Sequence, residues 1–207
     1  TKAAALAAQD MGNARQALDS DRPVALIDVR EPLDYSDGHA EGSVVVRTSN
    51  LLRNQIGVAV SDSRNVTIRN NGQNKGQIDG SESDAVVLRG GQADANHTVV
   101  GNTIETPGES GVHVRTGGVV VRANDITAAG AEGIYVRGDA PDVRLVDNEV
   151  EGGDEGLVVR AYEGDAPSNT TVVGDRYVDA GTGVEIDGTT GTTLRGVVVE
   201  GSGEAPI

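Results

Sequence analysis

Short runs that alternate aliphatic and polar residues recur through most of this chain, and glycine opens nearly all of them. Gly57-Val58-Ala59-Val60, Ala85-Val86-Val87-Leu88, Gly111-Val112-His113-Val114, Gly133-Ile134-Tyr135-Val136, Gly156-Leu157-Val158-Val159 and Gly183-Val184-Glu185-Ile186 superpose without gaps. Their starts lie 28, 26, 22, 23 and 27 residues apart. A two-residue alternation predicts a strand with one buried face. Recurrence at 20 to 50 residues predicts a repeat architecture, here made of strands with no helical pattern.

A second run keeps step with the first. Val66 to Asn71, His97 to Asn102, Val119 to Asn124, Val143 to Asn148 and Thr170 to Asp175 align in turn. Asn71, Asn102, Asn124, Asn148 and Asp175 therefore share one position of the repeat. Stacked amides at a turn can bond one another and the backbone of neighbouring rungs. Over about residues 44 to 200 the chain resembles the right-handed parallel β-helix (pectate-lyase-like repeat) family, whose short repeats read roughly G-I-x-V…V-T-I-x-N-N-x-I. The resemblance implies an all-β solenoid.

Residues 3–19 are rich in strong helix formers, with Leu6, Met11, Ala14, Ala17 and Leu18 on one mildly apolar side. A solenoid has an open end that invites polymerisation, and a terminal helix there is expected to cap it. Residues 24–43, including Leu26-Ile27-Asp28-Val29-Arg30-Glu31-Pro32 and Gly38-His39, resemble the opening strand and loop of a rhodanese-like domain. That family's sulfur transfer uses a loop cysteine, and this chain has none, so the activity is rejected. Val44 to Leu51 aligns with Val119 to Ile126, so the solenoid is expected to begin there. Two regions result: a helical cap with a first strand and loop over 1–43, and the β-helix over 44–207. The end at 201–207 offers no cap, so a further chain or a second copy is expected to continue from it.

Alternation sends Val112 and Val114, and their equivalents, inward and leaves the third and fifth positions outside. The third position stacks Ala59, Val87, His113, Tyr135, Val158 and Glu185. The fifth brings Arg89, Arg115, Arg137 and Arg160 into one column at the ~4.8 Å spacing of neighbouring strands. Like charges opposite one another destabilise a sheet, so an anion must compensate. It comes either from flanking acids such as Glu109, Asp139 or Asp165, or from an extended acidic glycan gripped bidentately. Arg89, His113, Arg115, Tyr135, Arg137 and Arg160 are accordingly the ligand-binding candidates.

Catalysis is less favoured by the residues. Among β-helix enzymes the Arg/His/Tyr set resembles a lyase or epimerase, in which Tyr135 or His113 would exchange a proton while arginine neutralises a uronate carboxylate. The pectin-hydrolase motifs N-T-D, D-D, G-H-G and R-I-K are absent. No catalytic residue, metal or cofactor is expected. His39, His97 and His113 are too few and scattered for a metal relay.

Composition narrows the setting. The 207 residues carry a net charge of −15, with only Lys2 and Lys75 as lysines and no Phe, Trp or Cys. Disulfides and thiol chemistry are excluded, and nucleic acid is a poor partner for this charge. No apolar run is long enough for a membrane span. Acidic excess with scarce lysine suggests a halophile, where salt screens surface repulsion. Asn65, Asn96 and Asn169 open N-glycosylation sequons. The expected role is an extracellular structural or adhesive module of a halophile cell surface or virion that binds acidic glycans and is more a scaffold than an enzyme. A polysaccharide lyase or epimerase is the alternative. Raising salt from the low millimolar to the molar range should increase the melting temperature; a flat or falling response would mark an ordinary acidic protein.

Overall fold

The computed structural model describes residues 44–47, 51–71, 78–90 and 93–203. The expected helix at 3–19 and the rhodanese-like stretch at 24–43 lie outside them, and no helix occurs among the described residues. The chain coils into a parallel β-helix with three sheets. Sheet I stacks seven strands, from Val44–Arg47 to Thr193–Arg195. Sheet II stacks seven, from Leu51–Leu52 to Val198–Glu200, and sheet III six, from Val58–Ser61 to Thr182–Asp187. Every neighbouring pair within them is parallel, and each coil adds one strand to each sheet in the order I, II, III.

The alternating runs form sheet III, and their register follows the repeat: Val86 pairs with Val112, and Val112 with Ile134. Inward residues make unbroken aliphatic columns. Sheet I contributes Ile68, Val99, Val121, Leu145 and Val172, all fully buried. Sheet II contributes Ile78, Ile104, Ile126, Val150 and Tyr177, also fully buried. Each such aliphatic contributes about 1.5–3 kcal/mol when removed from water, so the rod needs no single globular core. The leading glycine of the repeat has a packing cause. A Cβ on Gly133 would lie 2.2 Å from Val150 Cγ1 and 2.7 Å from the Gly156 carbonyl oxygen.

In successive coils three left-handed residues, five positions apart, turn the corners around sheets I and II. One coil uses Gly118, Ala123 and Ala128, the next Asp142, Asp147 and Gly152, and the next Asn169, Gly174 and Asp179. This region favours Gly, Asn and Asp. Ala123 and Ala128, at φ of 50° and 52°, adopt it against that preference and are held by the stacking on either side. Asn65, Asn96 and Asn169 occupy the corner before sheet I, in line with Gly118 and Asp142, all at positive φ. Backbone geometry alone therefore accounts for asparagine at these three positions.

Between sheets I and II runs a buried amide ladder. Asn71 Nδ2 donates to Asn102 Oδ1, Asn102 to Asn124, and Asn124 to Asn148, each at 2.9 Å. Each Nδ2 also donates backward to a carbonyl of the preceding coil, as Asn124 does to Val99 at 3.0 Å. Each Oδ1 accepts in addition the backbone N–H of the preceding member, as Asn148 does from Asn124. The ladder thus points one way and ends at Asp175, which accepts from Asn148 and from the Tyr177 hydroxyl at 2.9 Å. The next coil places Val197 in line, one residue before the Val198–Arg176 pair. An ionised carboxylate suits this end because it has nothing to donate.

Burial pushes the Asp175 carboxyl above the ordinary range, against the hydrogen bonds from Asn148 and Tyr177 that lower it. A folded pKa above the unfolded one means ionisation costs stability. That contribution is fully favourable below the unfolded value and is lost as pH rises through the folded one. Burial also raises the Tyr177 hydroxyl well above its usual value, so it stays a donor.

Replacing Asn124 by Ala leaves one hydrogen of Asn102 Nδ2 and the Asn102 backbone N–H without an acceptor, at about 1–3 kcal/mol for each orphaned buried donor. Urea unfolding should show Asn124→Ala losing at least about 2 kcal/mol; a loss within the range of an exposed surface substitution would mean that the ladder contributes little to stability.

Candidate functional site

The outer face of sheet III carries three parallel columns. Arg89, Arg115, Arg137 and Arg160 occupy one, with Arg89 paired to Arg115 and Arg137 to Arg160 in the ladder. The middle column is Val87, His113, Tyr135, Val158 and Glu185. The third lies just before the opening glycines and holds Asp84, Ser110, Glu132, Glu155 and Thr182. It brings three acids onto the face, none of them among the sequence candidates. The signal was present as an acid immediately before Ala85, Gly133 and Gly156.

The arginines do not stand as a picket. Arg137 Nε donates to His113 Nε2 at 2.8 Å, and its guanidinium lies 5.1 Å from the Tyr135 ring and 4.1 Å from that of Tyr162. Arg160 lies back along its strand, 5.4 Å from Tyr135, and reaches Glu185 at 3.6 Å and Glu132 at 3.9 Å. Folding back in this way covers the middle column, so His113 and Tyr135 are buried although they sit on the outer face. Arg89 Nε donates to Ser61 Oγ, and Arg115 lies 5.9 Å from the Tyr162 ring.

Only Arg160 of the four meets a carboxylate within ion-pair distance among the described residues. Glu109 accepts from Ser83 instead, and Asp139 and Asp165 line the same cleft as the arginines without closing on them. The expected neutralisation by flanking acids thus applies to one arginine, through residues of the sheet itself.

His113 and Tyr135 are unsuited to proton transfer with a substrate. His113 Nδ1 faces Asp84 Oδ2 at 3.2 Å, and its Nε2 accepts from an arginine that cannot lose its proton. This fixes the neutral tautomer with Nδ1–H donating to Asp84 and leaves no free ring nitrogen. Burial raises the Asp84 pKa, but the hydrogen bonds from His113 and Ser110 bring it below the ordinary range. The His113 ring stacks on Tyr135 at 4.9 Å. His97 lies elsewhere, buried where sheet I begins, and accepts from the Val66 N–H; burial lowers its pKa.

The acid column is better placed for chemistry. Glu132 accepts from Ser110 Oγ at 2.9 Å on one oxygen and faces Arg160 with the other, its side chain 12% exposed. Glu155, one rung on, has its pKa raised by burial and by repulsion from Glu132 and Glu185, against the attraction of Arg160. Neighbouring carboxylates in unlike environments are the usual basis for dividing acid and base roles. Among the described residues no group of acids and histidines is disposed to hold a metal ion.

Beside this row opens a cleft of about 340 Å³ lined by Arg89, Arg115, Arg137 and Tyr162, with Asp62, Asp139, Glu163 and Asp165 among its walls. Its outer wall is the polar insertion at 161–168. Tyr162 and Asp165 exchange backbone hydrogen bonds at 2.7 and 3.0 Å around Glu163 and Gly164, both at positive φ. That tight turn sets Tyr162 over Arg137.

The right handed beta helix region family matches residues 36–199. Nothing rhodanese-like is found, and the match begins inside the stretch that resembled that domain, so the resemblance at 24–43 is withdrawn. No curated protein matches the sequence. Among solved structures, the catalytic unit of the thermostable GH87 alpha-1,3-glucanase from Streptomyces thermodiastaticus strain HF3-3 is similar, with a TM-score of 0.52 and 16% identity. The similarity covers 79% of this chain and 44% of that one, so the chain spans less than half the length of that unit. This likeness is one of fold. It nevertheless overturns the expectation of a scaffold rather than an enzyme, because the same coil forms a catalytic unit there.

Replacing Arg160 by Gln removes the cation that Glu132 and Glu185 share. An NMR pH titration of side-chain carboxyls should show Glu155 moving further up, because Arg160 is the attraction holding it down. An unmoved Glu155 would mean that Arg160 does not set its value.

Proposed function

We propose that this chain, which belongs to the right-handed β-helix family, is a polysaccharide-acting enzyme whose reaction centre is the acid column of sheet III. The observation that carries this reading is the grouping of Glu132, Glu155 and Glu185 around the single guanidinium of Arg160 on an open sheet face. Glu155 is the proton donor to the leaving glycosidic oxygen, because its surroundings favour the protonated form. Glu132, held by Ser110 and Arg160, is the partner carboxylate that stabilises the developing positive charge or activates water. The reading favours hydrolysis over a lyase or epimerase mechanism, since His113 and Tyr135 are engaged by Asp84, Arg137 and each other. An extracellular or cell-surface location goes with a polymeric glycan substrate. The fold shared with a glucanase catalytic unit supports the class of reaction and leaves the sugar open.

Release of reducing ends from a panel of acidic and neutral polysaccharides tests the reading. Glu155→Gln should lower the rate by about 10²–10⁴-fold, the usual contribution of a general acid. Activity should also fall as pH rises through the elevated Glu155 value, since the donor must carry its proton. Wild-type rates in folded Glu155→Gln protein, or ultraviolet absorbance from an unsaturated product, would overturn it.

A further inference from the structure

Resting on that reading of sheet III, we infer that the cleft of Arg89, Arg115 and Arg137 is an anion subsite that selects a uronic-acid sugar of a polymeric substrate. In a chain with 32 acidic and 17 basic residues, guanidiniums ordinarily find carboxylates. These three occupy successive rungs and meet none within ion-pair distance among the described residues, although four carboxylates line the same cleft. Stacked like charges repel one another, and a bound carboxylate relieves that repulsion on up to three rungs at once.

The cleft is also built to hold its arginines in place. Arg137 is fixed through its Nε by His113, which Asp84 orients, and its flat face rests against Tyr162. Its terminal nitrogens remain available for a bidentate contact. Tyr162 is 36% exposed and adds an aromatic wall beside the guanidiniums.

The mixture of charges identifies the ligand. Guanidiniums alone would suit any anion, but Asp62, Asp139, Glu163 and Asp165 around them repel a continuous polyphosphate. Carboxylates accept hydrogen bonds from hydroxyls, and a uronic sugar presents one carboxylate together with several hydroxyls. Length points to a polymer. Glu132 and Arg137 open and close the same strand, five residues apart, which spans about 17 Å at 3.3–3.4 Å per residue. A substrate that reaches both the acid column and the cleft is longer than one sugar.

Calorimetric titration of Glu155→Gln protein, which leaves substrate uncut, separates this from the reaction itself. The probes are a short oligogalacturonate and a neutral alpha-1,3-glucan oligosaccharide of equal length. The oligogalacturonate should bind more tightly. Arg115→Gln and Arg137→Gln should each weaken it about 10-fold or more, equal to about 1.4 kcal/mol, with no change toward the neutral probe. Arg115, whose described contact is the Tyr162 ring, carries the test if Arg137→Gln disturbs folding. Equal affinity for the two probes, or unchanged binding by both arginine variants, would overturn the subsite. Cleavage that depends on Glu155 would survive that result. Cleavage that ignores Glu155 would remove the reaction centre and leave the binding data standing.

Discussion

In-register stacking is the constraint on which everything else in this rod depends. Parallel coils set equivalent residues about 4.8 Å apart, so each side chain has copies of its own column above and below. Whatever a column contains must therefore be compatible with itself. Aliphatics meet the condition by packing, as Ile78, Ile104 and Ile126 do inside sheet II. Asparagine meets it by being donor and acceptor at once, which lets Asn71 to Asn148 form a chain of bonds in a dry interior. The same logic fixes where that chain ends. Asp175 accepts without donating, so it needs no further acceptor beyond it, and the Tyr177 hydroxyl donates to its second oxygen.

Charged columns cannot satisfy the condition by themselves, and their ways of resolving it create the site. Arg137 turns back onto a neutral histidine and two aromatic rings, and Arg160 turns back onto Glu132, five positions along one neighbouring strand, and Glu185, two positions along the other. The acid column faces the mirror problem, and Glu155 responds by holding its proton more tightly. Arginine and carboxylate columns on one face thus leave a polarised surface: carboxylates around one cation at one edge, under-neutralised guanidiniums at the other. A rigid rod keeps both at fixed separation.

The repeat was legible in the sequence because a strand's two-residue period and a coil's spacing are both local patterns. Val112, Val114, Ile134 and Val136 could be assigned inward, and the three-sheet solenoid that contains them is the architecture found. The left-handed corners were written there too, as Asn, Asp and Gly recurring every five residues, although Ala123 and Ala128 hide the pattern.

Tertiary structure alone decided what the outward side chains do. Alternation says that His113, Tyr135 and the arginines leave the core, and it is silent on whether a long side chain stands up or lies down. Arginine spans several residues' length, so its partner is chosen by neighbours one rung away and several positions along. That is how Arg160 meets Glu132, a pair 28 residues apart in sequence. The consequences for Glu155 and for the two engaged nitrogens of His113 follow only from those meetings. Sequence order determines the column a residue joins; lateral packing between columns determines its charge state and its exposure, because both depend on which groups exclude water from it.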